Sequence, residues 1–157
     1  MNGTGDCTEF NLQRFLEAQD AYGSYDLAVS ELEQGCKRSH WIWYVFPQMR
    51  GLGRSYNSQF YGISCRQEAE AYLANKTLEE RLRRVCGLLL RQAEAGKDMR
   101  DVLGGIDSMK VRSSLTLFDA IAPGGPYGEC LDKCYGGNRD GRTLSMLRRL
   151  TDAPDSA

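Results

Sequence analysis

The leucine-rich segment between Thr77 and Gly96 constrains the fold of this chain more than any other feature. Leu78, Leu82, Val85, Leu88 and Leu89 recur at intervals that put them all on one face of a helix of about 3.6 residues per turn. The positions between them are mostly charged. Thr77 and Glu80 have the spacing of a capping box, in which each side chain satisfies an otherwise unpaired N–H. Gly96 offers the left-handed stop. A helix is therefore expected from about Leu78 to Ala95, and its apolar stripe has to be buried against other elements.

Those elements also read as helices. Asn11 to Gln19 carries Leu12, Phe15, Leu16 and Gln19 on one face. Ser24 can cap a helix holding Leu27, Ala28 and Leu32 that ends at Gly35. Ser64 with Gln67 is a second capping box. Asp98 caps a short turn ending at Gly104 and Gly105. Asp107 is expected to cap a helix with Val111, Leu115 and Phe118 that stops before Pro123. Two more helices follow, over about Tyr127–Tyr135 and Gly141–Leu150. Trp41 to Phe46 is ambiguous. Its aromatic and β-branched residues favour a strand, whereas an N-cap at Ser39 and the want of a partner strand favour a short buried helix, which is the expectation. The fold class expected is all-α: one compact domain over residues 10–150, of about seven to eight helices with irregular connections. Residues 1–9 and 151–157 are expected to be flexible ends.

Charge narrows the function. Lys and Arg number 20 against 21 Asp and Glu. This balance lacks the basic footprint of a general nucleic-acid binder and the polybasic run that holds a protein to an anionic membrane. The first residues show no export signal, and the longest apolar run, Trp41–Pro47, is too short to span a bilayer. The six cysteines are scattered rather than set in a tight framework, so reduced thiols and a cytoplasmic location are expected. Cys130 and Cys134 fall one helical turn apart without further ligands nearby, which reads as two buried, half-polar thiols rather than a zinc site.

Three segments can carry chemistry. The first is Lys37-Arg38-Ser39-His40-Trp41-Ile42-Trp43. His40 is the only histidine, which rules out multi-histidine metal sites and leaves one side chain that titrates near neutrality unaided. Two indoles beside it give a rigid surface able to meet a planar ligand; the same residues would equally serve as core, with His40 bonded to a carbonyl. The second is Pro47 to Ser55. Its glycines permit close backbone approach, and Gln48, Arg54 and Ser55 can bind an anion; a plain helix–helix connection is the competing reading. The third is Asp107 to Thr116. Lys110, Ser113 and Ser114 share a helix face, and Ser113, Ser114 and Thr116 are poor helix-interior residues whose presence calls for a reason.

These same residues carry a resemblance. Lys37 to Gln48, followed by Gly51-Leu52-Gly53-Arg54-Ser55, resembles the signature of the family called domain of unknown function 1810. Asp107 to Lys110 with Ser113 to Phe118 resembles its second signature. Phe15 to Gln19, Tyr135-Gly136-Gly137, Asp140 and Thr143-Leu144 are similar to its flanking elements. The resemblance spans about residues 10–150 and implies an all-α fold without an established activity. The order of a leucine-rich helix, a turn and an Asp-led polar helix is also similar to the NADAR family, linked to cleavage of N-glycosidic bonds in ADP-ribose or riboside compounds. No glutamate here matches that family's catalytic one.

The function expected is binding, with or without processing, of a small nucleotide- or sugar-phosphate-like anion where the three segments converge. Lys37, Ser39, Trp43, Gln48, Arg54, Ser55, Ser114 and Thr116 are the candidate ligand contacts. If there is chemistry, His40 is the expected general acid or base, oriented by Asp107, with Lys110 and Ser113 as further catalytic candidates. No metal or cofactor is called for. The alternatives are a non-catalytic protein-interaction module and a NADAR-like N-glycosidase.

Overall fold

The computed structural model describes residues 10–152. Cys7 and the two expected flexible ends lie outside them, except that Thr151 and Asp152 belong to the last helix. The described residues are helical, as expected, and one hydrophobic cluster runs through them from Leu12 to Leu147. In chain order the helices are α1 (Gln13–Asp20), α2 (Ser24–Gln34), α3 (Ile42–Val45), α4 (Tyr56–Phe60), α5 (Arg66–Ala74), α6 (Lys76–Glu94), α7 (Met99–Leu103), α8 (Gly105–Ile121), α9 (Pro126–Tyr135) and α10 (Gly141–Asp152). Seven of these have eight residues or more; α3, α4 and α7 are single turns. No helix among the described residues is long and apolar enough to cross a membrane.

The stripe on α6 is buried as its spacing predicts: Leu78, Leu82, Val85, Leu88 and Leu89 all lie in the core. Each contributes roughly 2 kcal/mol by leaving water. α9 and α2 pack on α6, and α9, α7 and α10 pack on α8. Helix α8 is the centre of the fold. Val111 and every residue from Ser113 to Phe118 are buried, so it is enclosed on most of its circumference. This placement accounts for much of its hydroxyl content. Ser113 Oγ donates to the carbonyl of Met109 at 3.2 Å, and Thr116 Oγ1 to that of Arg112 at 2.8 Å. Such bonds back to the preceding turn satisfy a buried hydroxyl at the cost of a slight bend.

Several expected caps are displaced. α6 begins at Lys76, and Asn75 Oδ1, not Thr77, accepts the N–H of Leu78 at 3.0 Å. Ser64 bonds through its N–H and Oγ to Glu68, not Gln67. Ser24 opens α2 after a left-handed Gly23 and pairs its hydroxyl with Tyr44 Oη at 2.7 Å. Trp41–Phe46 contains the expected short helix, but Trp41 stands at its N-cap, not Ser39. Asp107 lies inside the first turn of α8 rather than capping it, because Gly104 turns the chain one residue before Gly105. Asp98 caps α7 as expected. Strand structure among the described residues is limited to one isolated parallel bridge, Met49 to Ile63. That bridge ties the loop after α3 to the chain before α5: Arg50 N–H donates to Ile63 and Ile63 N–H to Gln48.

Candidate functional site

The three chemistry-bearing segments meet around one open cavity of about 480 Å³. Helix α3 presents Trp43, the following loop presents Gln48, Arg54 and Ser55, and α8 presents Lys110 and Ser113. The loop's shape is set by close packing and capping. A Cβ on Gly53 would fall 2.9 Å from Ser58 Oγ, so any other residue here would displace the Ser58 side chain. Ser55 Oγ caps α4 by accepting the N–H of Ser58 at 3.1 Å. Gly51 takes a φ of +107°, a value that disfavours any side chain.

The cavity wall is cationic. Arg54, Lys110, Arg112 and Arg142 line it against a single carboxylate, Asp140. That carboxylate is already engaged, since Asp140 Oδ2 accepts both the N–H of Thr143 at 3.0 Å and its hydroxyl at 2.5 Å. Its Oδ1 lies 3.8 Å from Arg112 Nη2. Lys110 Nζ sits 3.9 Å above the Trp43 ring centroid and 3.6 Å from Asp107 Oδ1. The indole thus holds the ammonium over its electron-rich face. Leu52, Ile106 and Met109 complete the wall with apolar surface. Paired cations beside apolar surface suit an organic anion better than a bare ion.

The other expected residues do other things. Lys37 is a buried tether: its Nζ lies 2.7 Å from Asp107 Oδ2, donates to the carbonyl of Ser39 and sits 4.9 Å from the Trp41 ring. Asp107 thereby joins the loop before α3 to α8 and helps to place Lys110. Ser39 is turned inward. Its N–H and hydroxyl both donate to Glu31, as do the N–H of Arg38 and Nε1 of Trp41. Burial alone would raise the Glu31 carboxyl, but these hydrogen bonds hold it down at about 2. Trp41 is fully buried. His40 is exposed and lines a different, smaller cavity with Tyr22, Tyr44 and Tyr61. Thr116 Oγ1 also accepts the N–H of Asp140 at 3.0 Å, which anchors the α9–α10 connection to α8. Ser114 is wholly buried, and its Oγ has no partner among the described residues.

Sequence reasoning missed Arg112, Asp140, Arg142 and Glu31. Arg112 stood inside a segment already singled out, one turn after Ser108, but on a helix it points away from Lys110, two residues before it, so the face shared by Lys110 and Ser113 did not include it. Asp140 and Arg142 reach the cavity only through the packing of α10 on α8, which no local spacing reveals.

The five described cysteines are free thiols. Cys130 Sγ donates to the carbonyl of Cys86 at 3.3 Å and Cys134 Sγ to that of Leu89 at 3.7 Å. The neighbouring Cys130 thiol, together with burial, pushes the Cys134 thiol up, and the Cys130 thiol is raised as well, so neither reads as a ready nucleophile. Among the described residues, no three His, Cys, Asp or Glu side chains gather as a metal ion would need.

Comparison with known proteins agrees with the architecture. The chain is similar to a conserved hypothetical protein, Rv1873 from Mycobacterium tuberculosis, known from its crystal structure. The two share 40% sequence identity and superpose with a TM-score of 0.84, over 89% of this chain and 98% of that one. No curated protein matches. The model of the family described as "Protein of unknown function (DUF1810)" matches residues 9–147, most of the 157-residue chain, and the protein belongs to that family.

Proposed function

We propose that this protein binds a small organic anion, of nucleotide- or sugar-phosphate type, in the cavity between α3, the Gln48–Ser55 loop and α8. The observation that supports this reading is the imbalance of charge on the wall: four cationic side chains against one carboxylate that Thr143 already occupies. Arg54 and Arg142 are exposed, and their guanidinium groups make no hydrogen bond or ion pair among the described residues, so a phosphate would meet them without breaking an existing side-chain contact. Lys110, fixed between Trp43 and Asp107, supplies a positioned ammonium. Gln48 and Ser113 offer polar groups deeper in the wall.

A second reading, a protein-interaction face, is favoured by Ile106 and Met109, which are 73% and 62% exposed at the cavity's mouth. An N-glycosidase reading has less support, because the cavity offers no free carboxylate to act as acid or base.

Titration calorimetry with adenosine monophosphate, glucose phosphate and uncharged adenosine separates these readings. The anions are expected to bind and adenosine not to. Lys110→Ala and Arg142→Ala should each weaken binding about tenfold or more, the scale of a lost charge-assisted contact. His40→Gln should leave binding unchanged, since His40 faces another cavity. Failure of both anions to bind, or indifference to both cation substitutions, overturns the proposal.

A further inference from the structure

Beside the first cavity on α8 lies a second open cavity, of about 610 Å³, lined by Asp98, Arg100, Ser108, Cys134 and Tyr135 among others. It shares Met109 and Arg112 with the first. These two residues are one helical turn apart, so the cavities flank a single ridge on α8. Arg112 is therefore the one cationic side chain that borders both.

The guanidinium of Arg112 is under-used. Its Nε is shielded from solvent and has no partner among the described residues. Its only charged contact there is Asp140 Oδ1 at 3.8 Å, beyond hydrogen-bonding distance. A shielded donor without an acceptor is costly, and a guanidinium presents a planar fork that matches two phosphate oxygens. The lobes on either side differ in character. The first offers the apolar surface of Leu52, Ile106 and Met109. The second offers a carboxylate at Asp98, the Arg100 guanidinium and the hydroxyls of Ser108 and Tyr135.

Resting on the anion-binding reading above, we infer that the ligand is a two-ended anion, a phosphodiester or pyrophosphate diester. Its charged middle lies on Arg112, an apolar or planar group fills the Trp43 lobe, and a hydroxylated group fills the Arg100 lobe. A terminal phosphate would use one lobe and leave the other empty.

The test compares inorganic pyrophosphate, adenosine monophosphate and diadenosine pyrophosphate by calorimetry on the full chain. Diadenosine pyrophosphate is expected to bind about tenfold or more tighter than either of the others. Arg112→Lys keeps the charge but loses the fork, and should remove about tenfold of the diester's affinity. Arg100→Ala changes an exposed residue that lines the second lobe and not the first. It should reduce diester binding while leaving adenosine monophosphate unchanged. Unchanged melting temperatures certify that both variants are folded. If the monophosphate binds as tightly as the diester, or Arg100→Ala leaves the ratio of their affinities intact, the two-lobed ligand is wrong and the single-cavity reading stands. If none of the three binds, both fall.

Discussion

Glu31 illustrates how much one side chain can organise without carrying chemistry. It is 4% exposed and accepts four hydrogen bonds from Arg38, Ser39 and Trp41. Together they fold the chain between α2 and α3 onto the end of α2. Glutamine offers one acceptor where the carboxylate offers two and would aim an amide N–H at those donors. Glu31→Gln should therefore cost about 2–4 kcal/mol in urea unfolding near neutral pH. The pH dependence follows in sign. The folded carboxyl titrates at about 2 against an ordinary value of 4.5. Its contribution is complete above about pH 4.5 and is lost as the pH falls toward 2, a change of roughly 3 kcal/mol. Wild type should lose stability over that window more steeply than Glu31→Gln, and parallel curves would contradict the assignment. None of this was legible beforehand, because a lone glutamate on an amphipathic helix reads as solvated surface. The tryptophans were half legible. Their bulk announced an aromatic wall, but residues two apart on a helix point roughly 200° away from each other. One therefore had to enter the core and the other to face outward, and the pattern alone did not say that Trp43 would be the outward one.

At the scale of elements, apolar spacing was more readable than punctuation. The stripe of α6 is where its period puts it, while the caps at Thr77, Ser64 and Ser24 are each displaced. Burial of five leucine or valine side chains outweighs a cap of about 1 kcal/mol, so packing sets the register and the nearest suitable side chain then caps the end. Asn75 does so for α6. The hydroxyl cluster of α8 was legible as an anomaly, but its cause is mainly the enclosure of that helix. Two glycines give opposite expectations. Gly87 lies in the exposed interior of α6 with nothing within 4 Å of an added Cβ. Gly87→Ala should stabilise the fold by about 1 kcal/mol, raising Tm by about 3 °C. At Gly62 a Cβ would fall 2.6 Å from Arg50 Cα and 2.7 Å from the carbonyl oxygen of Ser58. These are backbone atoms, so the loop carrying Arg54 and Ser55 must shift. Gly62→Ala should cost about 1–3 kcal/mol and weaken anion binding as well. Calorimetric melting of both variants checks the pair, and a destabilised Gly87→Ala would contradict the view that α6 is an unstrained helix.

For the whole molecule, net charge and local charge tell different stories. The chain carries a formal charge of −1, and that total says nothing about a cationic cavity. Arg54 and Lys110 come from segments far apart in sequence, and Arg142 arrives only when α10 docks on α8. At physiological salt a charge is felt over about 8 Å, so anion affinity should depend on where a charge sits rather than on the total. Charge reversal tests this directly. Arg142→Glu replaces an exposed cation on the cavity wall, and Arg91→Glu makes the same change of net charge on the exposed side of α6. Arg142→Glu should lower the affinity for adenosine monophosphate by about tenfold or more, and the loss should shrink as salt is raised. Arg91→Glu should change it by less than about twofold at physiological salt, because no residue of α6 lines the cavity and charges away from its wall are screened. Equal losses in the two variants would mean that the molecule attracts anions through its overall charge, and the cavity would lose its claim to be the site.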